Sequence, residues 1–239
     1  MDALVDGFKE QHPEIGTVKA VPGGSGQLLE MARRGELDAI ITHSPAGEAE
    51  LVAAGDGIDG RPFMHNFFVL AGPEDDPAGV GRLARPLSAF KLIAESEAKF
   101  VSRGDQSGTH VRELAIWAEA GIDPAGESWY QESGVGQGPN LQVASDNGAY
   151  TLADSGTWTA LKDDVELVLY LIDAAAANVY SVTRVNPEEH GVNEEATRAF
   201  ADFLTSDEGQ ALIEEFGVEQ YGEPLFIAGD YTSAPAPTP

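Results

Sequence analysis

A chain of 239 residues with an apolar share of 42% carries 40 acidic against 14 basic residues, a formal net charge of −26. Such a surface repels a phosphate backbone and excludes nucleic acid as a partner. Two readings of the charge remain, a solvated surface adapted to high salt and a cation-binding protein; the acids are scattered in ones and twos, which favours the surface.

Cysteine is absent, which removes disulfides, thiolate catalysis and zinc sites of the cysteine type. No apolar run approaches the roughly 20 residues of a membrane span, and MDALVDGFKEQHPE reads as an amphipathic helix with none of the features of a signal peptide. In chain order, Leu4, Val5 and Phe8 recur at helical spacing over Asp2–Gln11, and His12-Pro13 ends that helix. No N-cap residue precedes Asp2, from which a missing upstream segment is expected. Thr17–Val21 reads as a strand, Pro22–Gly26 as a glycine turn, Gln27–Arg34 as a helix, Ala39–Thr42 as a strand and Ala46–Ala54 as a helix. This is a repeated β-α-β pattern.

Arg61–Leu70 is a long strand, and the polar, proline-bracketed Ala71–Pro77 after it is the expected crossover between lobes. Leu83–Glu95 reads as a helix, Lys99–Ser102 as a strand, and Ser107 opens a helix running to about Ala120. A glycine-rich loop at Gln131–Asn140 precedes a helix at Leu141–Asn147, a short strand at Tyr150–Leu152 and a helix capped by Asp154. Strands at Val165–Leu171 and Tyr180–Val185 and helices at Asn193–Leu204 and Asp207–Phe216 complete the pattern. The fold class expected is α/β, two-lobed: residues 1–74 plus 179–229 form lobe 1, residues 75–178 form lobe 2, a cleft separates them, and residues 230–239 are a flexible tail.

The chemistry gathers at Phe100–Trp117, FVSRGDQSGTHVRELAIW. Arg103 follows a strand, where ligands of α/β sheets collect, and its guanidinium can donate two parallel bonds to an anion. Ser107, Gly108 and Thr109 open the helix, so unpaired N–H groups, hydroxyls and the positive end of the helix dipole face the same place. The plain alternatives are a surface ion pair of Arg103 with Asp105 or Glu113 and ordinary helix caps at Ser107 and Thr109. Capping and anion binding are compatible. A second anion-facing element is Ser25-Gly26 at the start of the Gln27 helix, where an ordinary tight turn is the alternative. Ser44, after Thr42 and His43, ends a strand on its carboxyl side, and Tyr150 and Thr151 offer hydroxyl donors, whereas Trp158 reads as core.

Ser102-Arg103-Gly104-Asp105-Gln106-Ser107-Gly108-Thr109-His110, followed by Trp117, Trp129-Tyr130, Glu132, Gly134, Gly136, Gly138, Ala149–Leu152 and Gly156-Thr157-Trp158, resembles the tungstate-binding proteins of ABC importers. The similarity extends to Gly24–Gln27, the Asp38–His43 strand, Asn66–Pro73 and Leu204–Gln210. It implies a type II periplasmic-binding-protein fold that closes on one tungstate, or molybdate, outside the cytoplasm and delivers it as a monomer to a membrane permease. Three departures stand out. Members of that family begin with a strand ending in threonines and serines, which this sequence does not contain, Gln137 stands where methionine is usual, and Ser155 where a basic residue is.

Arg103–Thr109 also resembles the R-x-D-x-S-G-T run of phosphate-binding proteins. Phosphate near neutral pH keeps a proton and needs an acceptor such as Asp105, whereas tungstate and molybdate only accept. Reading Asp105 as the group that orients Arg103 favours tungstate. An enzyme is not expected: Gln27 breaks the nucleophile-elbow pattern, no phosphate-binding loop is present, and the histidines at 12, 43, 65, 110 and 190 show no metal pairing. No cofactor is implied. A non-catalytic sensor domain with a defective ligand site is the third reading.

Overall fold

In the computed structural model the described residues are 1–231, without the side chains of residues 174 and 175. The expected tail at 230–239 lies outside them from residue 232 on. The described chain divides into two compact units, Met1–His65 with residues 179–231, and Asn66–Asn178.

The first unit opens with α1 (Asp2–Gln11), which buries Leu4 and Phe8, and α2 (Ser25–Arg33), which buries Leu29 and Ala32. β1 (Ala39–Thr42) follows, then α3 (Pro45–Ala53), whose proline sits in the first turn where its missing N–H costs nothing. β2 (Gly57–Gly72) carries the chain out of this unit between His65 and Asn66. The change of unit therefore falls inside a strand, upstream of the proline-bracketed turn where the sequence suggested it.

In the second unit come α4 (Pro86–Glu95), β3 (Phe100–Ser102), α5 (Gly108–Ala120), β4 (Tyr130–Glu132), α6 (Gln137–Asn147), β5 (Thr151–Asp154) and α7 (Ser155–Leu161). β5 pairs antiparallel with β2, from Phe68↔Asp154 to Ala71↔Thr151, while β3 pairs parallel with β4 and bridges Phe100 to Tyr150. One apolar cluster joins Phe90, Phe100, Ile116, Trp117 and Leu152; another joins Val101, Leu141, Ala144 and Trp158, so Trp158 is core as expected.

β6 (Val168–Val185) returns the chain to the first unit and pairs antiparallel with β1, from Ala39↔Arg184 to Thr42↔Ser181. The sequence suggested two strands here, Val165–Leu171 and Tyr180–Val185. They are one, because a neighbouring strand, not alanine's weak β preference, decides the backbone. α8 (Glu194–Leu204), α9 (Asp207–Glu215), α10 (Val218–Tyr221) and β7 (Ile227–Ala228) end the described chain, and β7 pairs with β2 at Met64 and His65. Phe8, Phe63, Val182, Phe203, Leu204 and Ile213 form the core beneath them.

Thr17–Val21 is not a strand. A strand needs a partner as well as a pattern, and these residues instead line an apolar groove of about 1000 Å³ with Leu4, Phe8, Ile40 and Phe216. Without that strand the first β-α-β of the expected repeat does not form.

The α8–α9 corner tests this packing. A Cβ at Gly209 would stand 2.1 Å from the Phe203 carbonyl oxygen, a backbone atom with nowhere to go. Gly209→Ala is expected to destabilise the protein by about 1–3 kcal/mol or more. Gly16→Ala, which meets nothing within 4 Å, is expected to stay within about 0.5 kcal/mol of the parent. Urea denaturation of the two variants checks the difference.

Candidate anion site

The candidate site is built on the β3–α5 connection. β3 ends at Ser102, and the chain turns through Gly104 (φ 62°) and Gln106 (φ 59°) into α5. Gly104 is required there twice over. Its positive φ suits glycine, and a Cβ would lie 2.8 Å from Cβ of Glu132. Asp105 Oδ1 accepts the Ser107 N–H at 3.0 Å and Oδ2 accepts from Arg103 Nη2, so one carboxylate folds the turn and aims the guanidinium. Burial pushes the Asp105 carboxyl up, but its bonds from Ser107 and the Arg103 charge together hold it below the usual carboxylate range. It is an anion when Arg103 needs one.

Ser107 caps α5, its Oγ accepting the His110 N–H at 3.4 Å. No capping side chain reaches the Gly108 and Thr109 N–H groups among the described residues, and they carry the positive end of a 13-residue helix. Ser107 and Thr109 are buried at this turn, and two further buried polar atoms, Arg103 Nε and His110 Nε2, have no hydrogen-bond partner among the described residues. His110 Nδ1 accepts the Gln106 N–H at 3.0 Å, which assigns the proton of the neutral ring to Nε2. His110 Nε2 is therefore an unused donor.

Arg103 also ties this turn to a second helix start. Its Nη1 donates to Gln137 Oε1 at 3.2 Å, and Gln137 is the first residue of α6, which is capped by Gly136 without a side-chain bond. Gln137 Nε2 in turn donates to the Leu152 carbonyl at 3.3 Å. Two helix N-termini and one guanidinium thus meet through named bonds, and all their free groups are donors. Such a set can hold a small oxyanion by charge-assisted hydrogen bonds.

Of the residues singled out in the sequence, Arg103, Ser107, Gly108 and Thr109 come together. Tyr150 and Thr151 lie in the same unit, but their hydroxyls are committed elsewhere. Tyr150 Oη donates to Asp76 Oδ1 at 2.7 Å and accepts the Ala78 N–H at 3.1 Å, and Thr151 Oγ1 donates to the Val101 carbonyl at 2.7 Å and accepts from Asn140 at 2.8 Å. Both hydroxyl protons, expected from the sequence to be donors to a ligand, are given to protein acceptors in this structure. Ser25, Gly26 and Ser44 belong to the other unit. Ser25 and Gly26 form the first turn of α2, whose cap, Gly24, makes no side-chain bond. The Ser44 N–H donates to Glu48 Oε1 at 3.0 Å, and Thr42 Oγ1 reaches the same oxygen at 2.5 Å. A carboxylate already occupies that helix start.

Gln137 and His110 were missed as participants. Gln137 stood out in the sequence only as a departure, although the spaced glycines before it mark a bare helix start; His110 is three residues after a capping serine, which places it in the first turn. Among the described residues no group of three His, Asp or Glu side chains could hold a metal ion.

Two units linked by long strands, with donors gathered at helix starts, define a solute receptor of the type II periplasmic-binding-protein fold. Residues 1–208 match the PBP superfamily domain, and the chain belongs to that superfamily. It is 43% identical over 215 residues to the tungstate-binding protein TupA of Peptoclostridium acidaminophilum, covering 87% of this chain and 74% of that protein. Among solved structures it resembles the tungstate ABC transporter protein of Geobacter sulfurreducens, with a TM-score of 0.79, 34% identity, and coverage of 90% of this chain and 93% of that one. TupA from Desulfovibrio alaskensis matches with a TM-score of 0.80 and 32% identity, over 95% of this chain and 92% of that one.

Proposed function

We propose that this chain is the extracytoplasmic solute-binding component of an ABC importer, that its cargo is tungstate, with molybdate as the close alternative, and that it presents this cargo to a permease as a monomer. The observation that carries the choice of ion is the state of Asp105. Both its oxygens are engaged, by Arg103 and by the Ser107 N–H. A protonated phosphate needs an acceptor, and each Asp105 oxygen already accepts a bond that shapes the turn; an oxyanion that only accepts is satisfied by Arg103 Nε, His110 Nε2 and the Gly108 and Thr109 N–H groups. The tungstate-binding relatives support the same reading. Ser25 and Gly26 are a second donor set in this proposal, whereas Ser44 and the Tyr150 and Thr151 hydroxyls are set aside by their bonds. The net charge of −26 opposes an approaching dianion at low ionic strength, but the Debye length is about 3 Å at 1 M salt, so binding in brine rests on the local donors.

Calorimetric titration of tungstate, molybdate, phosphate and sulfate at molar salt tests the proposal. Tungstate is expected to bind at one site per chain, at least tenfold more tightly than phosphate, about 1.4 kcal/mol. Phosphate preference would establish the phosphate-receptor reading instead, and no binding of any of the four would establish a sensor domain with a defective site.

A further inference from the structure

Beneath the candidate anion site lies a carboxyl group that the binding chemistry does not use. Glu113 is 2% exposed and sits on α5 one turn after Thr109 and three residues after His110, so all three share a face of the helix. Its Oε1 accepts from Tyr130 Oη at 2.7 Å and from Trp117 Nε1 at 3.2 Å, and the Ser102 hydroxyl bonds it as well. Ser102 Oγ also accepts the Gly104 N–H at 3.3 Å. Glu113 is thus joined through one hydroxyl to the turn that carries Arg103.

No cation is bonded to Glu113 among the described residues. A carboxylate so placed has neutral donors only, and burial without a counter-ion favours its protonated form. The neighbouring elements add no relief. α4 presents apolar Ala89, Phe90 and Ile93, β4 brings Tyr130 and the like-charged Glu132, and β5 brings Thr151 and Asp154, the latter bonded to Asn66 and Thr157. On α5 itself Arg112 is engaged by Asp173. Burial, with the repulsion of Glu132 added, outweighs the three donors and pushes the carboxyl up to about 7.

We propose that Glu113 takes up a proton from solvent when an oxyanion binds at the Arg103 turn, so that anion capture is proton-coupled. The inference rests on the oxyanion reading above. An anion at the first turn of α5 and a carboxylate one turn further along are like charges within roughly 10 Å across a dry interior, and each disfavours the other. Protonation of Glu113 removes that repulsion, and by reciprocity the bound anion holds the proton more tightly. Affinity is therefore full where Glu113 is protonated and falls as pH rises through about 7.

The test is titration calorimetry with tungstate at molar salt from pH 6 to pH 9, in two buffers of different ionisation enthalpy. The protein is expected to take up a fraction of a proton per anion near neutrality and none at pH 9, with affinity falling about tenfold across the range. Glu113→Gln keeps the shape of the side chain and is expected to bind with no proton uptake and with affinity constant within about twofold. Tyr130→Phe removes a donor to the carboxylate, so the midpoint of the uptake profile is expected to move to higher pH. Binding without uptake in the parent, uptake that persists in Glu113→Gln, or an unmoved midpoint in Tyr130→Phe would overturn the coupling alone. Absence of any binding by the parent would overturn the oxyanion reading and the coupling with it.

Discussion

Arg103→Ala is expected to weaken oxyanion binding by at least tenfold, and by about 2–5 kcal/mol if the guanidinium is fully desolvated against the anion, as truncating one partner of a buried charged pair does. Three losses add. The guanidinium's own bonds to the anion go, including that of Nε, which has no partner among the described residues. The bridge from the α5 turn to Gln137 at the start of α6 goes as well. The third loss changes sign: Asp105, now neutralised by Arg103, becomes an uncompensated carboxylate beside the incoming anion. Arg103→Ala with Asp105→Asn is therefore expected to bind more tightly than Arg103→Ala alone. Calorimetry of the single and double variants measures both effects, and unchanged affinity in Arg103→Ala would remove the site from this turn.

Trp117→Ala carries the largest expected loss of stability. Trp117 is 1% exposed and packs against Phe90 at a centroid distance of 4.4 Å, Phe100 at 5.3 Å, Trp129 at 5.5 Å and Tyr130 at 6.4 Å. Truncating a buried tryptophan to alanine costs about 3–5 kcal/mol through lost transfer energy and the cavity left behind. Glu113 also loses its bond from Trp117 Nε1, a further cost of about 1 kcal/mol, since Tyr130 and Ser102 still donate to the carboxyl. Trp117→Phe keeps much of the ring packing and loses the N–H, so its smaller shortfall separates the two contributions. Urea unfolding followed by circular dichroism reads both. A loss below about 1 kcal/mol in Trp117→Ala would contradict the packing described.

Local chemistry was legible in the sequence, and its distant partners were not. Ser107 before Gly108 and Thr109 signalled a capped helix start, and the cap is there, because capping is decided within four residues. Asp105 lies two residues from both Arg103 and Ser107, so its double role follows from spacing. Gln137 is 34 residues from Arg103 and Asp76 is 74 from Tyr150, and no spacing rule reaches that far. The Tyr150 and Thr151 hydroxyls looked free for that reason. The strand suggested at Thr17–Val21 failed on the same point, since alternation specifies a face but a ladder requires a neighbour. β6 shows the converse: the sequence suggested separate strands ending at Leu171 and starting at Tyr180, yet the backbone continues between them as strand. Helices, whose hydrogen bonds are internal, were placed within a few residues, as α1 and α8 illustrate.

The most direct measurement is an anomalous difference map at a tungsten absorption edge, from crystals of the protein grown with tungstate. A single peak within hydrogen-bond reach of the Arg103 guanidinium and the Gly108 and Thr109 N–H groups is the result the account predicts. A peak elsewhere, with the Arg103 turn empty at saturating tungstate, would contradict it.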